Sequence, residues 1–312
     1  MKKNITVKIP ATSANLGPGF DVLGVAVQLY NEVTLETDRV VNSSRKPASM
    51  PLSAEIRGAG VDSLPLDDSN LVVRAAFNVF QKTKRWPASL YVRMLNRIPL
   101  SRGLGSSAAA TLGGMCAANR LVGSPLSDQE VLDMAVELEG HPDNLVPAMF
   151  GGICVAGMIQ HHARYLKFRA PWSLRAVICV PHLTLSTSEA RRVLPSRIPL
   201  SAAVFTSSRL AFLIGALIQR RYDYLSFAMD DVLHQPARAT MLPGLAEVID
   251  EAKRAGAYGS ALSGAGSCVI AFTRPGATAK QVGQAMQKKF AAFDVGSNWF
   301  DVALLNSGII YK

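Results

Sequence analysis

Residues Pro99–Thr111 read PLSRGLGSSAAAT, a stretch in which glycines and serines lead directly into a run of alanines. Glycine frees the backbone for tight turns and alanine is the strongest helix former. The pattern therefore predicts an irregular loop feeding straight into a helix over Gly105–Leu121. A helix start carries unpaired backbone N–H groups and a partial positive charge, and small residues there let an anion approach. Read alone, Gly103-Leu104-Gly105-Ser106-Ser107 also fits a glycine loop in which Ser106 or Ser107 caps the helix. It is not a Walker A sequence, since no G-K-[ST] follows, and it lacks the third glycine and downstream acid of a dinucleotide fingerprint.

Working outward, NITVKIP (Asn4–Pro10) alternates as a strand, and VAVQLYNEVTLE (Val25–Glu36) gives a second β-rich run. Between them ATSANLGPGFD (Ala11–Asp21) reads as a loop by composition, and Ser43–Ser53 as a polar excursion. Helices are predicted after Ser69 or Asn70 and after Ser127, where Glu130 completes a capping-box pattern. ASLYVRML and GGICVAGMI read as strands. A change of pattern near 165–172 sets a boundary between domains 1–168 and 169–312. Beyond it come a strand at SLRAVICVP, helices over about 201–230 and 243–255, strands AYGSAL and SCVIAFT, a helix at 277–290 and a strand at FDVALL, an α+β pattern.

With 312 residues, 49% hydrophobic and 18% charged, the chain can bury a large core and suits two domains. The longest apolar run, Leu210–Ile218, is shorter than the roughly 20 residues of a membrane-spanning helix, and the N-terminus has no apolar signal segment. Neither membrane nor export is expected. Four scattered cysteines without a C-x-x-C pair, and five histidines without H-E-x-x-H spacing, argue against disulfides and a protein metal cage and for a cytoplasmic setting. The net charge of +10 is uneven: residues 1–165 hold 16 basic against 14 acidic groups, residues 166–312 hold 17 against 9. An anionic small substrate fits this surplus better than nucleic acid, because the basic residues are dispersed and aromatics are 7%.

PLSRGLGSSAAA, PATSANLGPGFDVLG (Pro10–Gly24) and ALSGAGSCVIAF (Ala261–Phe272) together resemble three motifs of the GHMP kinases, on the homoserine kinase branch. ELEGHPDNLVPAMFGG (Glu137–Gly152), STSEARRVLP (Ser186–Pro195) and HQPARATMLPGL (His234–Leu245) resemble the same branch, so the likeness spans almost the whole chain. It implies an α+β fold of two domains, the N-terminal one like domain 2 of ribosomal protein S5 and the C-terminal one ferredoxin-like. The implied reaction moves the γ-phosphoryl of ATP to the side-chain hydroxyl of L-homoserine with Mg²⁺. A mevalonate-type kinase is the alternative within the superfamily. A homodimer and inhibition by L-threonine are further family expectations.

The resemblance also assigns residues. Pro99, Leu100, Ser101, Arg102, Gly103, Leu104, Gly105, Ser106, Ser107, Ala108 and Ala109 match the phosphate loop, with Gly264 and Gly266 in a glycine-rich turn closing over it and Asn70 at the adenine. Ser107, with Ser106 second, and Glu137, with Glu139 as alternative, match the metal ligands. Arg191 and Arg238 match positions for the substrate carboxylate, Asn15 and Asp21 the other polar end, and Asn144 and Thr187 the acceptor side chain. Asn144, Arg191 and Glu137 are the expected catalytic residues. No general base is evident; Asp143 is expected to orient its neighbours.

Overall fold

The computed structural model describes residues 3–312. Two long strands, β1 (Lys3–Asn15) and β2 (Gly19–Thr37), form an antiparallel hairpin whose tip is Leu16-Gly17-Pro18. The expected loop at Ala11–Asp21 is thus mostly strand. Its polar composition misleads because the segment is buried and its hydroxyls find partners inside the protein, Thr12 with Asn144 and Ser13 with Ser263. Bulges after Pro10 and Ala14, and left-handed backbone at Asn15, Leu16 and Asp21, bend the hairpin tip over the site described below.

β3 (Val40–Asn42) and β4 (Leu52–Gly58) flank the predicted excursion. Then follow α1 (Leu71–Thr83), β5 (Arg85–Pro87), β6 (Leu90–Asn96), α2 (Ser106–Leu121), α3 (Asp128–Glu139), α4 (Leu145–Phe150), β7 (Ile153–Ile159) and β8 (His162–Phe168). Asn70 caps α1, and the Ser127–Glu130 capping box forms at α3. The second half contains β9 (Arg175–Pro181), α5 (Thr187–Arg192), α6 (Leu200–Gln219), α7 (Leu225–Ala228), α8 (Gln235–Ala239), α9 (Leu245–Arg254), β10 (Gly259–Leu262), β11 (Val269–Thr273), α10 (Ala277–Ala291), β12 (Ser297–Ala303) and β13 (Ile310–Tyr311).

The larger sheet has the order β13-β1-β2-β6-β4, with β7 and β8 continuing from the other end of β2. The smaller, wholly antiparallel sheet has the order β10-β11-β9-β12, the βαββαβ arrangement of a ferredoxin-like domain. One apolar core runs unbroken from Val7, Leu112 and Met115 to Ile178, Ile270 and Phe272, so the two sheets are packed together. A second core, with Val248, Val282 and Phe290, lies under α9 and α10. Each such buried side chain contributes roughly 1.5–3 kcal/mol relative to exposure. The last residues return to the first sheet, where Val7 and Lys8 of β1 pair with Tyr311 and Ile310.

The apolar run at Leu210–Ile218 sits inside the longer helix α6, within the helical span expected over about 201–230. Ala, Ser and Thr on its N-terminal side carry α6 to 20 residues with a mean hydropathy of 1.6, a length and composition that also suit a membrane span. In the fold its Leu213, Ala216 and Leu217 pack onto the core.

Candidate active site

A cleft of about 630 Å³ runs between the hairpin tip, the 99–107 loop, α3 and the second domain. At its centre Gly105 is the N-cap of α2, with φ of 68°, and no side chain caps the helix. The serine-cap reading of the loop is therefore set aside, and the first amides of α2 are left for another acceptor. Gly103 and Gly105 are sterically required. A Cβ at 103 would lie 1.9 Å from the Ser263 carbonyl oxygen, and one at 105 would lie 2.1 Å from Thr12 Oγ1 and 3.1 Å from Asn144 Oδ1. The glycine-rich turn between β10 and β11 closes on this loop: Ser263 Oγ donates to the Gly103 carbonyl at 2.6 Å, and the Cys268 amide donates to the Arg102 carbonyl at 3.0 Å.

On the α3 side, Glu139 Oε1 accepts from Ser107 Oγ at 2.7 Å and from Thr111 Oγ1 at 2.6 Å. One carboxylate beside hydroxyls at the mouth of an anion cradle is a hard-oxygen set that suits Mg²⁺, which keeps most of its waters. The far end of the cleft is lined by Leu64, Pro65, Asn70, Leu71 and Met94, a mostly apolar wall for a flat base.

The opposite end, under the hairpin tip, is polar and charged. Asp21 accepts a two-pronged ion pair from Arg191, at 2.9 and 2.8 Å. Asn15 Oδ1 accepts from the Asp21 amide at 3.0 Å, and Asn15 Nδ2 donates to the Gly264 carbonyl at 2.8 Å. Arg238 is 2% exposed, yet among the described residues it has no carboxylate partner: its donors go to the Ala190 and Gly264 carbonyls and to His234 Nδ1. Burial, with Arg191 adding to it, lowers its pKa to about 10, which still leaves it a cation at neutral pH. Thr12 Oγ1 donates to Asn144 Oδ1 at 2.7 Å. Asp143 is 2% exposed, and its Oδ1 accepts from the Asn144 amide at 2.9 Å and Asn144 Nδ2 at 3.2 Å and pairs with His141 Nδ1 at 2.6 Å. That hydrogen bond raises the His141 pKa above the usual imidazole value, with burial opposing it.

Residues 70–152 match the family model of the GHMP kinases N terminal domain, and residues 213–292 match that of the GHMP kinases C terminal. The chain is 45% identical to a homoserine kinase of Carboxydothermus hydrogenoformans over 93% of its own length and 91% of the relative's. It is 41% identical to one of Halothermothrix orenii, over 98% and 96%. The chain belongs to the homoserine kinase family of GHMP kinases. A crystal structure of homoserine kinase from Cytophaga hutchinsonii superposes with a TM-score of 0.88 at 30% identity, covering 100% of this chain and 98% of that one. An L. major mevalonate kinase, at a TM-score of 0.69 and 16% identity over 97% and 96%, shares the fold.

Within this homoserine kinase cleft the expected residues fall into three groups. Leu100, Ser101, Arg102, Gly103, Gly105, Ser106, Ser107, Ala108, Asn15, Asp21, Asn144, Thr187, Arg191, Arg238 and Gly264 all line it. Pro99, Leu104, Ala109 and Gly266 do not; Leu104 and Ala109 are buried beneath the loop, and Ala265 rather than Gly266 reaches the cleft. Asn70 lines it, but both ends of its amide are already engaged, with the Val72 amide and the Pro65 carbonyl, so it shapes the wall.

One expectation is corrected. Glu137 points to solvent on the outer face of α3, and its alternative Glu139 meets Ser107, because residues two apart on a helix lie about 200° around the axis from each other. The helix phase carried this signal: Glu139 continues the buried row of Leu132 and Ala135, at spacings of seven and four. Sequence reasoning also missed Thr12, Thr111, His141 and His234. His141 is the first residue of HPDN, and Thr12, Thr111 and His234 lie inside the other quoted stretches, which was their only local signal.

Proposed function

We propose that this cleft performs the family's reaction, phosphorylation of L-homoserine by ATP to O-phospho-L-homoserine and ADP. The observation that carries the reading is Arg238, a buried guanidinium held only by neutral acceptors at the end of the cleft opposite the base wall. A buried cation without a carboxylate is costly unless an anionic ligand completes it. Arg191 and Asp21 add one charge of each sign beside it, a match for an α-amino acid zwitterion.

The cradle amides of Ser106 and Ser107 hold the triphosphate, and Glu139 with Ser107 would hold Mg²⁺, which neutralises charge on the transferred group. Asn144, fixed by Thr12 and Asp143, faces the same space and orients the acceptor hydroxyl. The hydroxyl oxygen forms the new bond to the γ-phosphorus as the bond to the ADP oxygen breaks, and the hydroxyl proton is released. Asp143 is occupied by Asn144 and His141, which supports an orienting role over that of a base.

The same reading extends to inhibition by L-threonine, which offers Arg238 and Asp21 the same charged groups. A homodimer comes with it from the family resemblance, and four free buried thiols suit the reducing, cytoplasmic setting expected from the cysteine pattern. The test is ADP release with L-homoserine, mevalonate and phosphomevalonate as acceptors. Turnover is expected with L-homoserine alone, and Asp21→Ala should raise its KM about 10-fold or more, the loss of one charge-assisted contact, with the KM for ATP nearly unchanged. Turnover with mevalonate instead would overturn the assignment.

A further inference from the structure

We propose that His234, which does not line the cleft, is a positioning residue for the substrate: held as its Nε2–H tautomer, it fixes the Arg238 guanidinium against the hairpin tip. The inference rests on the reading above that Arg238 receives the substrate carboxylate.

The tautomer follows from the partners. Arg238 Nη1 can only donate, so His234 Nδ1, 3.0 Å away, must be the acceptor. The ring proton therefore sits on Nε2, which donates to the Gly17 carbonyl at 2.8 Å. His234 is 1% exposed. Burial, the largest influence, holds its pKa below the ordinary imidazole value, and Arg238 reinforces this against the pull of Asp231. Asp231 is itself occupied, its carboxylate accepting from the amides of Leu233, His234 and Gln235.

The arrangement joins elements far apart in the chain. Arg238 Nε donates to Ala190 of α5, and Nη1 donates to Gly264 of the glycine-rich turn as well as to His234. Among the described residues no protein acceptor takes Nη2, so the guanidinium is anchored through Nε and Nη1 and leaves the Nη2 hydrogens for the cleft. Two of the three anchors are backbone carbonyls. His234 is the only side chain among them, and like Gly264, whose carbonyl accepts from Asn15, it also reaches the hairpin, where Phe20 packs on its ring at 5.3 Å and lies under Arg238 at 5.4 Å. Without the Nδ1 acceptor, Nη1 loses one of its two partners and the fork is free to rotate out of register with a carboxylate.

Two near-isosteres separate positioning from simple support. In His234→Asn the side-chain oxygen stands near the place of Nδ1 and keeps an acceptor for Arg238; in His234→Gln the amide nitrogen stands near Nε2, keeps the Gly17 contact and loses that acceptor. Steady-state kinetics should show the KM for L-homoserine about 10-fold higher in His234→Gln and within about 3-fold of the parent in His234→Asn, with kcat and the KM for ATP little changed in both. His234→Leu, branched like Asn but without an acceptor, repeats the comparison and must show the same KM rise as His234→Gln. Adding His234→Gln to Arg238→Ala should bring no further rise, since the two act through one group. Equal effects of Asn, Gln and Leu, or additive effects in the double variant, overturn the positioning role. No KM effect from Arg238→Ala overturns the underlying reading instead.

Discussion

Replacing Glu139 by Gln tests the metal end of the cleft most directly, because its neighbour two residues away supplies the control. Glu139 Oε1 accepts from both Ser107 and Thr111, at 2.7 and 2.6 Å. A hydrogen bond to a charged acceptor contributes about 1.5–3 kcal/mol, against about 0.5–1.5 for a neutral one. The amide therefore weakens each contact by about 1 kcal/mol and removes the carboxylate that meets Ser107. An amide is also the poorer ligand for a hard cation. A loss of about 1.4 kcal/mol is tenfold in an equilibrium constant, so the Mg²⁺ concentration at half-maximal rate should rise at least about 10-fold. The assay is coupled ADP release at saturating ATP and L-homoserine, titrated with Mg²⁺. Glu137→Gln, altered on the solvent face of the same helix, should titrate like the parent. An unchanged curve for Glu139→Gln, or an equal shift for Glu137→Gln, would refute the placement.

Gly105→Val puts a branched side chain on left-handed backbone, which costs about 1–2 kcal/mol, and drives its Cβ into Thr12 Oγ1, 2.1 Å away. ATP binding measured by calorimetry should weaken about 100-fold or more with far-UV circular dichroism preserved; normal affinity would sink the cradle. His141 provides a pH test. Its pKa is raised in the folded protein by Asp143, so its contribution to stability is full below the ordinary imidazole value and is lost as pH rises through the raised one. Thermal unfolding across that window should show this loss in the parent, and His141→Gln should flatten it; identical profiles would remove the pair from the account.

The cradle was legible because glycine has a steric reason at 103 and 105 that no other residue meets, and a glycine pattern is local. The α3 cap was legible for the same reason, since Ser127 and Glu130 are three residues apart. Composition failed at Thr12 and Ser13, where polar residues suggest a loop but pair inside the protein with residues more than a hundred positions away. Helix phase held the answer for Glu139, and a second candidate glutamate two residues away hid it. The charged end was only half legible. Arg191, Arg238 and Asp21 were named, but the direct pairing of Asp21 with Arg191 and the part played by His234 exist only after α5, α8 and the hairpin have met.

The pairing of β13 with β1 also bears on the order in which the protein takes shape during synthesis. β1 leaves the ribosome ahead of the other strands, and its outer edge at Val7 and Lys8 gains its partner only with residues 310–311, after the other described strands of both sheets have been made. Until then that edge presents unpaired backbone groups, the feature that invites pairing with another chain. The cradle and hairpin tip are complete in sequence long before. A nascent chain therefore carries its reactive cleft in outline while β1 still lacks its outer neighbour, and the emergence of β13 is what supplies it.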